Sequence, residues 1–256
     1  RDILPAGQQL PQKLYLIPFT GKPIFPGIFT PIMITDEGDL QVVNEAIEHD
    51  SMIGFVLTKE ADSENPTGED LFRIGTVAKI VRRINLPDGG VNIFVSTLKR
   101  FRIKKFLQEE PPTIAAVEYL DDTEDDSTEV QALTRSLINE TKQISENNPL
   151  FSEEMRLNMV NIDQPGRIAD FIASILNIDR SEQQNVIETL SVHKRLETVL
   201  MFIKKEQELL RIQKKIQKQM NERIEKSQRE YFLKEQLKAI KQELGMPTDS
   251  KSSDYM

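Results

Sequence analysis

The chain has no cysteine and no tryptophan, and only two histidines in 256 residues. Without cysteine there is no disulfide framework, no thiolate metal site and no thiol nucleophile. The histidines, His49 and His193, stand outside any H-E-x-x-H pair, and each reads as a helix-surface residue rather than a ligand. No apolar run approaches the roughly 18 residues needed to cross a bilayer. No signal peptide is visible, and a first residue of Arg1 rather than Met is expected of a fragment. The one Gly-Lys pair, Gly21-Lys22, runs into Pro23, so no phosphate-cradling loop forms there. G-x-S-x-G does not occur. The many Asp and Glu pairs lie in linker or helix-surface contexts. The expectation is therefore of a non-enzyme, with no catalytic, cofactor-binding or metal-ligating residue.

What is present is charge, unevenly spread. The formal net charge is -8 and the mean hydropathy is -0.42. From Lys194 to Glu243 there are fourteen Lys and Arg against eight Asp and Glu, leaving nineteen against thirty-three elsewhere. An acidic body with a basic helical arm suggests charge-guided contacts, or simply a long helix that charge keeps solvated.

Three regions follow. Residues 1–120 read as a β-rich domain. Its strands are expected at Leu14–Phe19, Thr30–Ile34, Met52–Thr58, Gly75–Ile84, Val91–Leu98, Phe101–Leu107 and Ile114–Tyr119, from their β-branched and aromatic content and alternation. Pro87-Asp88-Gly89-Gly90 marks a hairpin. Leu40, Val43, Ala46 and Ile47 share one face of an intervening helix. Residues 121–129, dense in like charge, read as a solvated acidic linker. Residues 130–190 read as a helical bundle. Asp126 with Glu129 and Asp179 with Glu182 have capping-box spacing, and Pro165 suits a first helical turn. Residues 191–245 read as one long helix, opened by Ser191 and stopped by Gly245 and Pro247. At 1.5 Å per residue its roughly fifty residues span about 75 Å, too long to be buried in a small domain. Its apolar stripe, narrow and poor in strict heptads, suits pairing with another helix. Residues 246–256 read as a disordered or truncated tail.

Two surface signals stand out. Lys79, Arg82, Arg83, Lys99, Arg100, Arg102, Lys104 and Lys105 fall on adjacent strands, as a nucleic-acid surface or as the solvated face of a sheet. Phe19, Ile24, Phe25, Pro26, Ile28 and Phe29 make an apolar loop, which either offers a sticky surface or folds over the core.

Four segments in order resemble the N-terminal region of the Lon family of ATP-dependent serine proteases. They are Leu16-Ile17-Pro18 with Phe25-Pro26-Gly27, Leu86-Pro87-Asp88-Gly89, Asp163 to Asp170, and Glu225 to Gly245, the last being the most specific. The resemblance implies an α+β architecture: a PUA-like β-rich domain, a helical bundle and a coiled-coil-like long helix. It implies a parent that is a homohexameric ring, with an AAA+ motor using ATP and Mg, and a Ser-Lys dyad that cuts the threaded chain. No catalytic residue carries over. The implied role is recognition of unfolded, damaged or regulatory proteins in quality control, with support of ring assembly. The implied compartment is a bacterial cytoplasm or an organelle matrix, with no membrane partner. Phe25 and Pro26 on the loop, and Met220, Tyr231 and Phe232 on the long helix, are the candidate contacts, because adaptable apolar side chains suit sequence-tolerant binding. A nucleic-acid-binding module and a stand-alone holdase or adaptor are the alternatives.

Overall fold

The computed structural model describes residues 9–63, 66–87, 89–123, 127–145 and 162–247. The chain divides into two compact units, Arg1–Lys204 and Lys205–Met256.

In the first unit, six strands form one sheet: β1 (Lys13–Phe19), β2 (Phe29–Ile34), β3 (Met52–Leu57), β4 (Ile74–Asn85), β5 (Val91–Gln108) and β6 (Ile114–Leu120). Their order is β2-β5-β4-β3-β1-β6, and β6 also pairs with β5, so the sheet closes on itself. Only the β1–β3 pairing is parallel; the others are antiparallel. Helix α1 (Glu37–His49) covers one side and buries Val42, Val43 and Ala46 against Ile17, Ile53, Phe55 and Ile93. A second cluster forms around Leu14, Leu16, Val77, Phe101 and Ile103. Strand β3 lies between the two and is buried throughout, which is why Met52-Ile53-Gly54-Phe55-Val56-Leu57 is almost unbroken in its apolar character.

Two expected strands, Val91–Leu98 and Phe101–Leu107, are one strand of 18 residues. Lys99-Arg100 carries no turn residue, and the strand continues by changing partners. Its start pairs with β2 and its end with β6. Register shifts in its pairings with β4 and β6 mark where the ladder bends. The hairpin before it forms as expected: Leu86 N–H donates to the Gly90 carbonyl, and Gly89 has φ +92. Asp88 lies outside the described residues.

The helical part has α2 (Thr128–Ser145), α3 (Pro165–Ile175), α4 (Arg180–Glu188) and the start of α5 (Val192–Glu243). Pro165 opens α3, and the Asp179–Glu182 capping box opens α4. The expected box at Asp126 lies outside the described residues. At that helix start, Val130 N–H donates to Ser127 Oγ. Helix α2 packs on α3, α3 on α4, and α4 on β4. The acidic run is not simply solvated: Asp121 pairs with Lys99, Asp122 reaches two buried arginines, and Thr123 bridges to Ser191. These contacts help to join sheet and helices in one compact unit.

Helix α5 closes as the sequence requires. Gly245 has φ +67, Met246 N–H donates to the Lys241 carbonyl and Gly245 N–H to that of Gln242. This left-handed residue caps the last carbonyls at no steric cost, because it has no Cβ. Of the expected tail only Met246 and Pro247 are described.

Candidate functional site

Strand β2 builds an exposed apolar face. Phe29, Pro31 and Met33 point outward while Ile32 and Ile34 point into the core. Phe29 is 62% exposed and Met33 68%. On the neighbouring β5, Phe94 is half-buried and stacks on Phe29, with ring centroids 6.1 Å apart. Arg82 and Ile84 of β4 stand opposite Phe94 and Asn92, and extend this face with exposed side chains. Three adjacent strands therefore present large apolar groups where alternation would ordinarily place polar ones.

The outer edge of β2 is poorly suited to adding another strand. Thr97 N–H donates to the Ile28 carbonyl. Two-residue alternation from there turns the backbone N–H and C=O groups of Thr30, Ile32 and Ile34 toward β5, and those of Phe29, Pro31 and Met33 toward the open edge. Pro31 has no N–H to offer at the middle of that edge. This edge therefore offers side chains rather than a backbone ladder.

The sequence-predicted residues fall in different settings. Phe25 is fully buried, and its carbonyl accepts from Thr97 Oγ1 at 2.8 Å. The loop thus folds over the core, and Phe25 offers no contact surface; this corrects the expectation. Pro26 is half-buried and lines a cleft with Gly27, Asp163, Gln164, Arg167 and Phe171. Met220, Tyr231 and Phe232 are 52%, 69% and 60% exposed on α5. Phe29, part of the apolar loop flagged in the sequence, was not among the candidate contacts, and Met33 was missed. Their signal was present in Phe29-Thr30-Pro31-Ile32-Met33-Ile34, where both alternating sets are largely apolar although one edge carries a proline.

The expected basic cluster is broken up. Arg100 is buried, with Nη1 and Nη2 donating to the Asp170 carboxylate at 2.8 and 2.6 Å and Nε donating to the Ile187 carbonyl. Arg195, fully buried on α5, donates through Nη1 and Nη2 to Asp122, through Nη1 to Asp170 at 3.4 Å, and through Nε to the Thr189 carbonyl. Burial opposes the Arg195 charge, but the Asp122 hydrogen bond and the charges of Asp170 and Asp122 outweigh it and raise its pKa above the ordinary value. Two cations and two anions thus compensate one another where β5, α3 and the start of α5 meet. Gly166 makes room for them, since a Cβ there would lie 2.6 Å from Asp122 Oδ2. Lys99 and Lys104 pair with Asp121 and Glu118.

Among the described residues no cluster of His, Cys, Asp and Glu could hold a metal ion, and no helix is long and apolar enough to cross a membrane.

A family model described as the ATP-dependent protease La (LON) substrate-binding domain matches residues 13–205. The chain is similar to the Lon protease of Treponema pallidum, 58% identical over 99% of this chain and 29% of that protein. It is also similar to the Lon protease of Leptospira interrogans, 42% identical over 99% of this chain and 30% of that one. It spans about 30% of the length of these curated relatives. Among solved structures, the N-terminal domain of Mycobacterium avium complex Lon protease matches with a TM-score of 0.62 at 17% identity, covering 75% of this chain and 98% of that one. A Lon N-terminal domain protein from Xanthomonas campestris matches with a TM-score of 0.54 at 18% identity, over 74% and 97%. At such identities the likeness speaks to the fold alone.

Proposed function

The chain belongs to the Lon protease family, as its N-terminal substrate-binding domain, and from that premise we propose that it engages unfolded, damaged or regulatory proteins for degradation and supports ring assembly. It does no chemistry itself on this reading. ATP-driven pulling, with ATP and Mg bound to the motor, and cleavage by a Ser-Lys dyad belong to parts of a Lon protease that this chain does not span. The setting is quality control in a bacterial cytoplasm.

One observation carries the recognition half: the apolar face of Phe29, Pro31 and Met33 beside Phe94. An entrance that handles many sequences needs contacts of modest strength that read apolar character rather than order. Exposed aromatic and methionine side chains on a rigid strand supply them. Nucleic-acid binding has less support, because Arg100 is consumed in a buried ion network and Lys99 and Lys104 are ion-paired.

The test is binding of a chemically unfolded protein, and of the same protein folded, to the chain and to its Phe29→Ser/Met33→Ser variant. Each large apolar side chain that becomes buried contributes about 1.5–3 kcal/mol. Partial burial of two predicts a loss of about 10–100-fold for the unfolded form, with little sensitivity to salt. Equal binding of folded and unfolded protein, or no effect of the double variant, would overturn the reading. Phe25→Ser is not a useful probe, since it opens the core.

A further inference from the structure

The apolar face of β2, β5 and β4 ends in a charge. The strand register puts Pro31, Phe94 and Arg82 in one row across the sheet, and Met33, Asn92 and Ile84 in the next. Arg82 is exposed and closes its row on the side away from β2. Strand β3 does not reach this far. Its pairing with β4 begins at Met52 opposite Lys79, and Ile80 N–H donates to the Ser51 carbonyl just beyond. From Arg82 onward β4 is therefore an edge, paired with β5 alone.

Arg82 also stands apart in its charge. The strands carry four arginines. Arg83 is turned toward α1, where it donates to Asn44 Oδ1 at 2.6 Å, and it also donates to Asn85. Arg100 is buried on Asp170. Arg102 stands opposite Glu118 of β6. Arg82 has no hydrogen bond or ion pair among the described residues. No Asp or Glu occupies the positions of β2, β5 and β4 that form the face.

A guanidinium is a planar fork of donors that fits a carboxylate through two parallel bonds. An apolar segment that settles over Phe29, Met33 and Phe94 also displaces water beside Arg82. A carboxylate in that segment replaces the lost hydrogen bonds. A neutral side chain replaces them poorly, and a lysine adds repulsion. Two strand spacings of about 4.8 Å separate the β2 and β4 positions, and an extended chain advances about 3.3 Å per residue. A segment crossing the strands therefore spans the gap in about three residues.

We propose that Arg82 makes this face selective for apolar segments that carry an acidic side chain about three residues from the group seated on β2. This rests on the recognition half of the proposed function and adds a charge preference to it. Within the first unit β2 and this part of β4 are both edges, so a segment runs on past Arg82 rather than ending there. The carboxylate is accordingly that of a side chain, not of a chain terminus.

The test uses the full 256-residue chain and dye-labelled, unstructured peptides amidated at the C-terminus. Each holds a Phe-Leu pair followed, about three residues on, by Glu, Gln or Lys. Binding is read by anisotropy at low salt. The expected order of affinity is Glu, then Gln, then Lys, with about three- to fivefold between the first two, as for a partly exposed ion pair. At about 0.5 M salt this preference should shrink while the Gln peptide keeps its affinity. Arg82→Gln should bring the ratio of Glu to Gln peptide near unity, and Arg82→Glu should make the Lys peptide the best ligand. Arg83→Gln removes the same charge one residue on and should leave the ratio unchanged. A ratio that survives Arg82→Gln, or that Arg83→Gln abolishes equally, overturns the proposal. So does a preference that appears only when the Gln peptide is given a free C-terminal carboxylate. If the Gln peptide binds and Phe29→Ser/Met33→Ser weakens it, yet no charge preference is seen, the proposal falls and the apolar reading stands. If no peptide binds, both fall.

Discussion

Helix α5 is one helix held in two different ways. Its first turns bury Val192, Arg195, Leu196, Val199, Phe202 and Ile203, and Arg195 is locked to Asp122, Asp170 and the Thr189 carbonyl. From Lys204 to Pro247 no residue is buried. There the helix has local support: Lys, Glu, Gln, Arg and Leu are good helix formers, Arg211 pairs with Glu208, Lys218 with Glu222, and Gln217 bonds Asn221. Such pairs contribute only about 0.2–0.5 kcal/mol each. The difference teaches that continuity of a helix says little about what stabilises it. A change in the first part acts on a whole packed unit, whereas a change in the second acts on a few turns and on whatever covers the stripe.

The comparison breaks most sharply at Asp170. Asp170→Ala removes a carboxylate held by two buried guanidinium groups and leaves charge uncompensated, at a cost of about 3–5 kcal/mol. Urea unfolding of the first unit, followed by near-ultraviolet signals from its tyrosines, should show a midpoint lowered accordingly. Lys218→Ala, which removes an exposed pair, should leave that midpoint within error. A comparable effect from both substitutions would erase the distinction between the two parts of α5.

A proline sharpens it from the other side. Lys218→Pro deletes an interior hydrogen bond and strains the preceding turn, costing about 3 kcal/mol locally. Helical ellipticity should fall while the first unit's urea midpoint holds. If the midpoint moved by a similar amount, the exposed part would be coupled to the packed one, and the two-part description would fail.

Much of this division could be read from the residues. The length and ends of α5 follow from Ser191, Gly245 and Pro247, and the strands of the barrel follow from β-branched alternation. The joining of two strands through Lys99-Arg100 was hidden, because bulges and a change of partner leave no composition signal. The ion network was hidden for a deeper reason. Arg100 lies among seven other basic residues, and its burial depends on Asp170, seventy positions away, and on Arg195, a further twenty-five. Phe25 and Phe29 belong to the same apolar loop in sequence. Which of them faces water is decided by where Thr97 fixes the backbone, through its bond to the Phe25 carbonyl.

The smallest effect lies on the pH axis and concerns α1 in the packed unit. Burial, and then the charge of Asp36, push the Asp39 pKa up to about 6 from an ordinary value of 3.8. The folded state therefore holds a proton there more tightly than the unfolded chain does. The associated stability is fully present below about pH 4 and is lost as pH rises through about 6. Asp39→Asn keeps the neutral form at every pH. It should match the unsubstituted chain near pH 4 and be more stable at pH 7 by on the order of 1–2 kcal/mol, somewhat less than the full shift implies because the site relaxes. Paired urea midpoints from pH 4 to pH 8 test this through the difference between the two chains, which cancels the other titrating groups. A difference that opened between pH 4 and pH 7 would assign this part of the pH dependence to the first turn of α1. A constant offset would mean that Asp39 is already charged throughout, and that the charges of Asp36 and Asp39 are accommodated by the helix N-terminus they share.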